Sequence, residues 1–388
     1  MASELTFDQI STVLNEIVSQ ATGVKAQAAV DTSSFVAQAT TALKCGPDTL
    51  LQAISQVLSK TIFSSRAYTG KFASIMASNQ QFGNHVRKLS PIADDFIDQD
   101  SMTLADGLSV DMYKVKKQKV LQTNFYGQQI YSKMYTYFLS QLEQAFTTPN
   151  ELASYWSMIL TEQNNIIESG RENLRRMTVA NFMGAKFQAD PGNVIHLLTE
   201  YKALIGNIEE EFNPYTPDNV APFFQFIFAR MQTVSDFMEE RSKLYHMNIT
   251  NKGIMRHTPK SKQKCLILSS TKNQIAARVF TNTYNESFLK YINHETVSFW
   301  QSIEKPDEIN VTPSYISADG TVAKGDAQNK KNIFAVLFDE EALGVTNTYN
   351  KSRVTPVNAA GEYSNVFWHF RDRWWNDLTE NGVVFCLD

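Results

Sequence analysis

The stretch Ile333-Phe334-Ala335-Val336-Leu337-Phe338 is a run of six apolar residues, and Asp339-Glu340-Glu341-Ala342-Leu343-Gly344-Val345 follows it directly. A short apolar run that ends at an acidic turn is typical of a strand buried inside a sheet. The sequence therefore predicts a buried strand at residues 333–338 and a turn immediately after it.

Two further regions predict strands around this one. Cys265-Leu266-Ile267-Leu268 is a second apolar run, and the C-terminal region alternates from Tyr363 to Phe370 before a last short run at Val383-Val384-Phe385. The alternation places Val366, Trp368 and Phe370 on one face. These rings, interleaved with Arg371 and Arg373, could stack on nucleic acid bases, but the alternation favours a strand that packs its rings into the core.

The strongest helix signal begins at Thr148-Pro149, where Thr148 and Glu151 form a capping box and Pro149 takes the first helical position. Apolar residues then recur at helical spacing as far as Met177. A helix that continues to Gly184 would span roughly 50 Å at 1.5 Å per residue. Such a length indicates a structural spine, and Gly170 is a candidate position for a bend.

The remainder of the chain alternates helical and irregular patterns. Helices are expected from Asp190-Pro191 onward, from about Asp218 to Tyr245 with a stripe of phenylalanines, and at 287–292. A phenylalanine stripe at helical spacing is more often core than a ligand site. A polar loop is expected at 318–331, and the resulting fold class is α+β.

The N-terminal 65 residues resemble an arm. Thr6 and Gln9 form a capping box before a first short helix, residues 21–45 are small and polar, and Gly46-Pro47 opens a second short helix. Two short helices on a polar tether are marginal alone, so we expect them to pack against another surface.

Residues 66–125 are predicted to form a long hairpin or flap with segregated charge. We call residues 94–111 the acidic limb and residues 114–119 the basic limb. The acidic limb has six aspartates and no lysine or arginine, and four lysines follow within six residues. A solvated loop with ordinary charge clustering is the alternative. The candidate intersubunit contacts are Asp94, Asp95, Asp98, Lys114, Lys116, Lys117 and Lys119.

Composition excludes several classes of protein. The net charge is −4, from 36 basic and 40 acidic residues, which argues against a protein whose main task is to grip nucleic acid. The three cysteines, Cys45, Cys265 and Cys386, are far apart and form no CxxC pair, so we expect free thiols in a reducing cytoplasm. No signal peptide and no apolar stretch of membrane-spanning length is visible.

A search for catalytic motifs finds none. The sequence contains no GxG dinucleotide fingerprint, no phosphate-binding loop and no GxSxG elbow, and no two of the six histidines lie within four residues of one another. We therefore predict no catalytic, cofactor-binding or metal-binding residue and no enzyme, although distant residues that meet only in the fold escape such a search.

The order of these elements resembles the tailed-bacteriophage major capsid proteins of the Hong Kong 97-like fold. Two stretches carry most of the resemblance. The segment from Ile333 to Val345 resembles the late strand and Phe-Asp-x-x-Ala-Leu turn of these proteins, and Glu362 to Leu387 is similar to the C-terminus of capsid proteins from short-tailed phages of the phi-twenty-nine type.

The resemblance implies an organisation for the whole chain. It implies an N-terminal arm at 1–65, an extended loop at 66–125, a peripheral domain with the spine helix at 126–190, an axial domain at 191–330, and a return to the peripheral domain at 331–388. No lysine–asparagine crosslink site is identifiable, so the resemblance does not extend to covalent chainmail.

The implied function is a shell that encloses the phage genome. The resemblance implies pentamers and hexamers of this chain in an icosahedral or prolate head, a scaffolding protein and a portal as partners, double-stranded DNA enclosed without sequence-specific binding, no cofactor and no membrane. Assembly would occur in the host cytoplasm and the product would be the virion capsid. The alternatives are an encapsulin-type compartment, a tail component, or an enzyme with an unrecognised site.

Overall fold

The computed structural model describes residues 15, 17–19, 68–77, 85–92, 105–107, 109, 112, 113, 115, 117, 119–138, 149–206, 212–249, 254–279 and 294–388, with side chains described except at 149–158, 160 and 275–279. The expected arm therefore lies almost entirely outside the described residues, as does the helix expected at 287–292. Ile17 and Val18 are described, and both are helical and buried.

Besides the helical residues 15 and 17–19, the described chain contains four α-helices and fourteen strands. The helices are α1 (Pro149–Ala189), α2 (Leu197–Ile205), α3 (Pro217–Glu239) and α4 (Ser269–Val279). The strands are β1 (Val86–Ile92), β2 (Lys119–Phe125), β3 (Gln128–Phe138), β4 (Val194–His196), β5 (Gln263–Leu268), β6 (His294–Val297), β7 (Ile309–Val311), β8 (Ser314–Ile316), β9 (Val322–Lys324), β10 (Gln328–Lys330), β11 (Ile333–Asp339), β12 (Leu343–Val354), β13 (Tyr363–Asn376) and β14 (Gly382–Cys386).

Strand β11 is the centre of a five-stranded sheet ordered β4-β14-β11-β5-β6. Every residue of β11 is buried, which confirms the strand predicted at 333–338. It pairs antiparallel with both neighbours, so that Val336 lies opposite Val384 on one side and Leu266 on the other. The strand predicted at Cys265–Leu268 is thereby confirmed as the adjacent β5.

Helices cover both faces of this sheet. Val336 and Phe338 point into one core with Phe182 of α1, whereas Ala335 and Leu337 point into a second core with Phe223 of α3. A register shift between Ile333 and Ala335 accompanies the pairing with β14. Of the phenylalanine stripe of α3, Phe223 and Phe224 are therefore core, as the helical spacing predicted. Phe226 and Phe228 are half-buried, and Phe237 is exposed.

The spine helix α1 is longer than the pattern suggested. It has 41 residues, which corresponds to about 60 Å at 1.5 Å per residue, and it continues through Gly170 to Ala189 rather than stopping near Gly184. Across the helix lies a second, three-stranded sheet ordered β12-β13-β3.

The aromatic C-terminal strand is the middle strand of this second sheet. Val366, Trp368 and Phe370 are at most 1% exposed, so the core interpretation of these rings is confirmed. The strand extends beyond Phe370 to Asn376. Its partners β3 and β12 were not predicted. Strand β3 is mostly exposed, β12 is half-buried or exposed after its first four residues, and both contain many polar residues.

Three local predictions were wrong in part. The segment after Asp190 is a 3₁₀ turn at Pro191–Asn193, then strand β4, and only then helix α2; Val194 and Ile195 are β-branched and pair in parallel with β14. Helix α3 ends at Glu239 instead of Tyr245, which has a positive φ of 66°. The polar loop at 318–331 contains strands β9 and β10.

Candidate functional site

The structure describes the base of the hairpin that was predicted at residues 66–125. Strands β1 and β2 pair antiparallel over seven residues, from Val86 opposite Phe125 to Ile92 opposite Lys119. This pairing fits the predicted hairpin. Lys117 and Lys119 are exposed, whereas Asp94, Asp95, Asp98, Lys114 and Lys116 lie outside the described residues.

An ionic cluster joins the base of this hairpin to the rest of the protein. Lys88 of β1 extends its Nζ to within 2.6 Å of Glu380 Oε1, 3.1 Å of Asp377 Oδ2 and 3.5 Å of Glu341 Oε2. We call Lys88, Arg256, Glu341, Asp377 and Glu380 the flap-root cluster. Asp377 and Glu380 follow the end of β13, so the cluster fastens the hairpin to the turn between β13 and β14.

Arg256 is the second cation of the flap-root cluster, and it lies on neither β1 nor the turn after β13. Its Nη2 lies 3.1 Å from Glu380 Oε1 and donates a hydrogen bond to Ser90 Oγ at 3.2 Å, and its Nε donates to the Thr379 carbonyl at 3.1 Å. Arg256 therefore contacts both β1 and the turn. Because buried charges are costly unless paired, this geometry holds the hairpin base in one position.

The charge balance of the cluster affects its protonation. Three carboxyl groups face two cations. Burial alone would lower the pKa of Lys88, but the carboxylates of Asp377 and Glu380 outweigh burial and raise the pKa above its ordinary value of 10.5. Burial also raises the pKa of the Glu380 carboxyl, and Lys88 and Arg256 only partly offset that increase. The ammonium of Lys88 is thus strongly favoured at neutral pH.

A second set of charged contacts fastens residues 68–76 to the spine helix. The Tyr68 hydroxyl donates to Glu172 Oε2 at 2.7 Å. Arg175 Nη1 donates to the Lys71 carbonyl at 3.2 Å and is paired within the helix with Glu168 Oε1 at 2.9 Å. Arg176 pairs with Glu172, and its guanidinium lies 3.6 Å from the ring centroid of Phe299 and 5.0 Å from that of Phe72. The chain on the N-terminal side of the hairpin is therefore also fixed.

Gly70 permits this close approach. A Cβ atom at residue 70 would lie 2.9 Å from Glu168 Oε1 and 3.0 Å from Arg175 Nη1. Either contact is shorter than a side-chain carbon normally makes, so a larger residue would displace the ion pair.

The described residues contain no group of histidine, cysteine, aspartate and glutamate side chains arranged to hold a metal ion. Burial raises the pKa of the Cys265 thiol to about 12, and burial likewise raises that of Cys386 to about 12. Thiols in this state are poor nucleophiles at neutral pH. No helix of the described part of the chain is long and apolar enough to cross a membrane.

The flap-root cluster was missed by sequence reasoning. Its members are separated by as much as 292 positions, as for Lys88 and Glu380, and they meet only because β13 and β14 bring the turn beside β1. The available signal was the alternation in β1, where Lys88 and Ser90 share one face. A lysine on the buried face of a strand requires an acidic partner.

Comparison with protein families gives a match, and comparison with curated proteins gives none. A family model of the Phi29-like phage major capsid protein matches residues 10–386.

Solved structures give a similar fold. A chain in the capsid structure of Staphylococcus phage Andhra matches with a TM-score of 0.55 and 13% identity, over 82% of this chain and 84% of that chain. A chain in the structure of the head fiber and inner core protein gp22 of native bacteriophage P68 matches with a TM-score of 0.52 and 11% identity, over 82% and 85%. At such identities the likeness concerns the fold alone.

Replacing Lys88 by methionine tests the flap-root cluster. The substitution leaves three carboxyl groups facing only Arg256, and removal of one partner from a buried ion pair costs about 3 kcal/mol. We expect urea denaturation to show a loss of that order in the free energy of unfolding. Lys119→Met is the matched control, because Lys119 lies on the same hairpin and is exposed; an equal loss in both variants would contradict the role of the cluster.

The wild type and the Lys88→Met variant also give a prediction about the pH dependence of stability. Because the folded-state pKa of Lys88 is raised above 10.5, its contribution to stability is fully present below that pH and is lost as pH rises through the folded-state pKa. The stability difference between the wild type and Lys88→Met should stay constant from about pH 7 to 9 and shrink above about pH 10.5. Denaturation curves across this range measure it, and a difference that grows with pH would have the wrong sign.

Proposed function

The chain belongs to the Phi29-like phage major capsid proteins, and on that premise we propose how its copies build the phage head. As a major capsid protein it is a component of the virion and assembles with further copies into the head shell. The observation that carries this conclusion is the match of one family model to residues 10–386, which is nearly the whole chain.

The domains of the chain follow the Hong Kong 97-like organisation. The peripheral domain combines 126–190 with strands from 331–388, and the long helix α1 with the sheet β12-β13-β3 supports this assignment. The axial domain is 191–330, whose five-stranded sheet borrows β11 and β14 from the last segment. Axial domains meet at the symmetry axes of pentamers and hexamers.

The extended loop at 66–125 and the arm at 1–65 connect subunits. The loop carries the acidic limb and the basic limb outward to oppositely charged surfaces on neighbours, through Asp94, Asp95, Asp98, Lys114, Lys116, Lys117 and Lys119. The paired base of the hairpin and the exposure of Lys117 and Lys119 support this role. Because each subunit touches several others, individually weak contacts sum to a stable shell.

The shell's other partners follow from its function. A scaffolding protein and a portal join assembly in the host cytoplasm, and the closed head contains double-stranded DNA without sequence-specific contacts. The net charge of −4 supports an inner wall to which packaged DNA does not adhere. The protein functions by assembling into a shell and has no catalytic role.

Electron microscopy with light scattering on the purified full-length chain tests this function. We expect closed shells or rings of capsomer size, because the chain supplies its own contact surfaces. The measurement is repeated with the scaffolding protein co-expressed. A chain that stays monomeric or dimeric under both conditions would contradict the proposal.

The basic limb is tested by neutralising its four lysines together. Lys114→Gln, Lys116→Gln, Lys117→Gln and Lys119→Gln in one chain should reduce shell yield and flatten its dependence on salt, since charge contacts at the surface weaken as salt is added. Sedimentation at low and high salt measures both. Unchanged assembly with unchanged salt sensitivity would show that the basic limb makes no intersubunit contact.

A further inference from the structure

The chain between α3 and β5 packs against several other parts of the protein. We call residues 242–249 and 254–258 the strap, which is the part of this connection that the structure describes apart from the first residues after α3. Backbone hydrogen bonds join its two parts, since the amide of each of Ser242 and Arg256 donates to the carbonyl of the other, at 2.9 and 2.8 Å. The strap therefore behaves as one unit.

The strap is fastened to the turn between β13 and β14. The Tyr245 carbonyl accepts from the Gly382 amide at 2.8 Å, and the Met247 amide donates to the Leu378 carbonyl at 2.8 Å. Arg256, which belongs to the strap, reaches the same turn as part of the flap-root cluster. The strap thus contacts the turn on which the hairpin base rests.

Tyr245 has a backbone conformation that a bulky aromatic residue rarely adopts. Its φ is 66°, in the left-handed region. Such a conformation costs free energy and persists only where the surrounding contacts impose it. Here the contact with Gly382 imposes it, so the backbone of the strap relaxes if that contact is lost.

His246 lies at the centre of these contacts and is only 3% exposed. Its Nε2 lies 2.6 Å from the Ile254 carbonyl oxygen, and its Nδ1 lies 2.8 Å from the Leu244 carbonyl oxygen and 3.1 Å from Asn381 Oδ1. All three oxygen atoms are acceptors, whereas a neutral imidazole has a single N–H. The neutral ring therefore leaves one nitrogen lone pair facing an oxygen atom.

A charged ring would satisfy both nitrogens of His246, but it would be a buried charge without a counter-ion. No carboxylate of the described residues forms an ion pair with it, and the Lys186 ammonium at the end of α1 repels a second positive charge. Asp339 of β11 is connected to the ring only through the hydrogen bonds of Thr258 and Asn381. Burial lowers the pKa of His246, and the hydrogen bonds of the ring only partly offset this effect.

The other charged groups beside the strap belong to the flap-root cluster. Lys88 and Arg256 pair there with Asp377 and Glu380. Burial raises the pKa of Glu380, so the folded state takes up that proton more readily than the unfolded state does. Acid therefore favours the folded arrangement at Glu380, and this residue cannot account for a loosening in acid.

We propose that the strap opens in acid, because a proton taken up by His246 releases it from the turn between β13 and β14. The proton comes from the solvent and binds the ring nitrogen that lacks one. The charged ring then moves toward water, and Tyr245 relaxes. Arg256 leaves Glu380 and Ser90 with the strap, so the flap-root cluster loosens. This proposal goes beyond the assembly function, because it concerns how one copy holds its own hairpin.

The sign of the pH dependence follows from the two states of the strap. In the open strap the His246 ring is exposed, and its pKa is near the ordinary value of 6.5. Because the pKa is lower in the closed strap, closure is fully favoured above about pH 6.5 and is weakened as pH falls from there toward the closed-state pKa. Within this range, each pH unit should increase the open population about tenfold.

Hydrogen–deuterium exchange with mass spectrometry on the full-length chain tests the proposal. Protection at pH 7 and pH 5 is compared after correction for the intrinsic pH dependence of exchange. The reporters are the amides of Met247, Arg256 and Gly382, which form the hydrogen bonds of the strap. His246→Gln removes the titrating ring. His196→Gln is the matched control, because the His196 side chain is 48% exposed. Thermal unfolding verifies that each variant folds.

The expected pattern separates the two histidines. In the wild type and in His196→Gln, protection of the reporter amides and of β1 should fall by at least about tenfold between pH 7 and pH 5. In His246→Gln, protection should change little over this range, because glutamine takes up no proton. His246→Asn takes the place of this variant if the glutamine variant does not fold.

Each other outcome overturns the proposal. An equal loss of protection in the wild type and in His246→Gln would assign the effect to another group, such as Asp377. A wild type that is unchanged or better protected in acid would show that the added hydrogen bond outweighs burial of the charge. Opening of the strap with β1 still protected would show that the flap-root cluster does not depend on it. None of these measurements requires shells, so a failure of the assembly function is distinguished from a failure of this proposal.

Discussion

Strand β11 is buried on both faces. Each of its faces therefore has to be covered by a layer of side chains from another element. Val336 and Phe338 require the spine helix, and Ala335 and Leu337 require α3. Pairing with β11 also fixes β14, and β14 in turn fixes the turn that carries Asp377 and Glu380. The hairpin base rests on that turn through Lys88. The position of the flap therefore depends, step by step, on the burial of six apolar residues.

The flap-root cluster fixes position at some cost in stability. Four of its five charged groups, all except the exposed Glu341, are largely removed from water. This burial is expensive, and a well-packed apolar set of similar volume is often at least as stable. Apolar side chains would, however, tolerate several arrangements of the hairpin base. Lys88 and Arg256 each have one set of acceptors at hydrogen-bond distance. The ionic cluster therefore specifies a single arrangement of the hairpin base. We interpret the cluster as a device for orienting the flap, which a subunit that must meet several neighbours requires.

Sequence patterns predicted the parts of the fold that depend on local periodicity. The runs at 333–338 and 265–268 gave β11 and β5, and the capping box at Thr148 gave the start of α1. Strands β3 and β12 escaped prediction because both form by pairing with β13, which lies more than two hundred residues from β3 and about twenty from β12. Most of β3 is exposed, and β12 is half-buried or exposed after its first four residues. The flap-root cluster escaped for the same reason, because no local signal links Lys88 to Glu380. The segregation of charge in residues 94–119 could be read from the sequence, but the surfaces that these charges would contact could not.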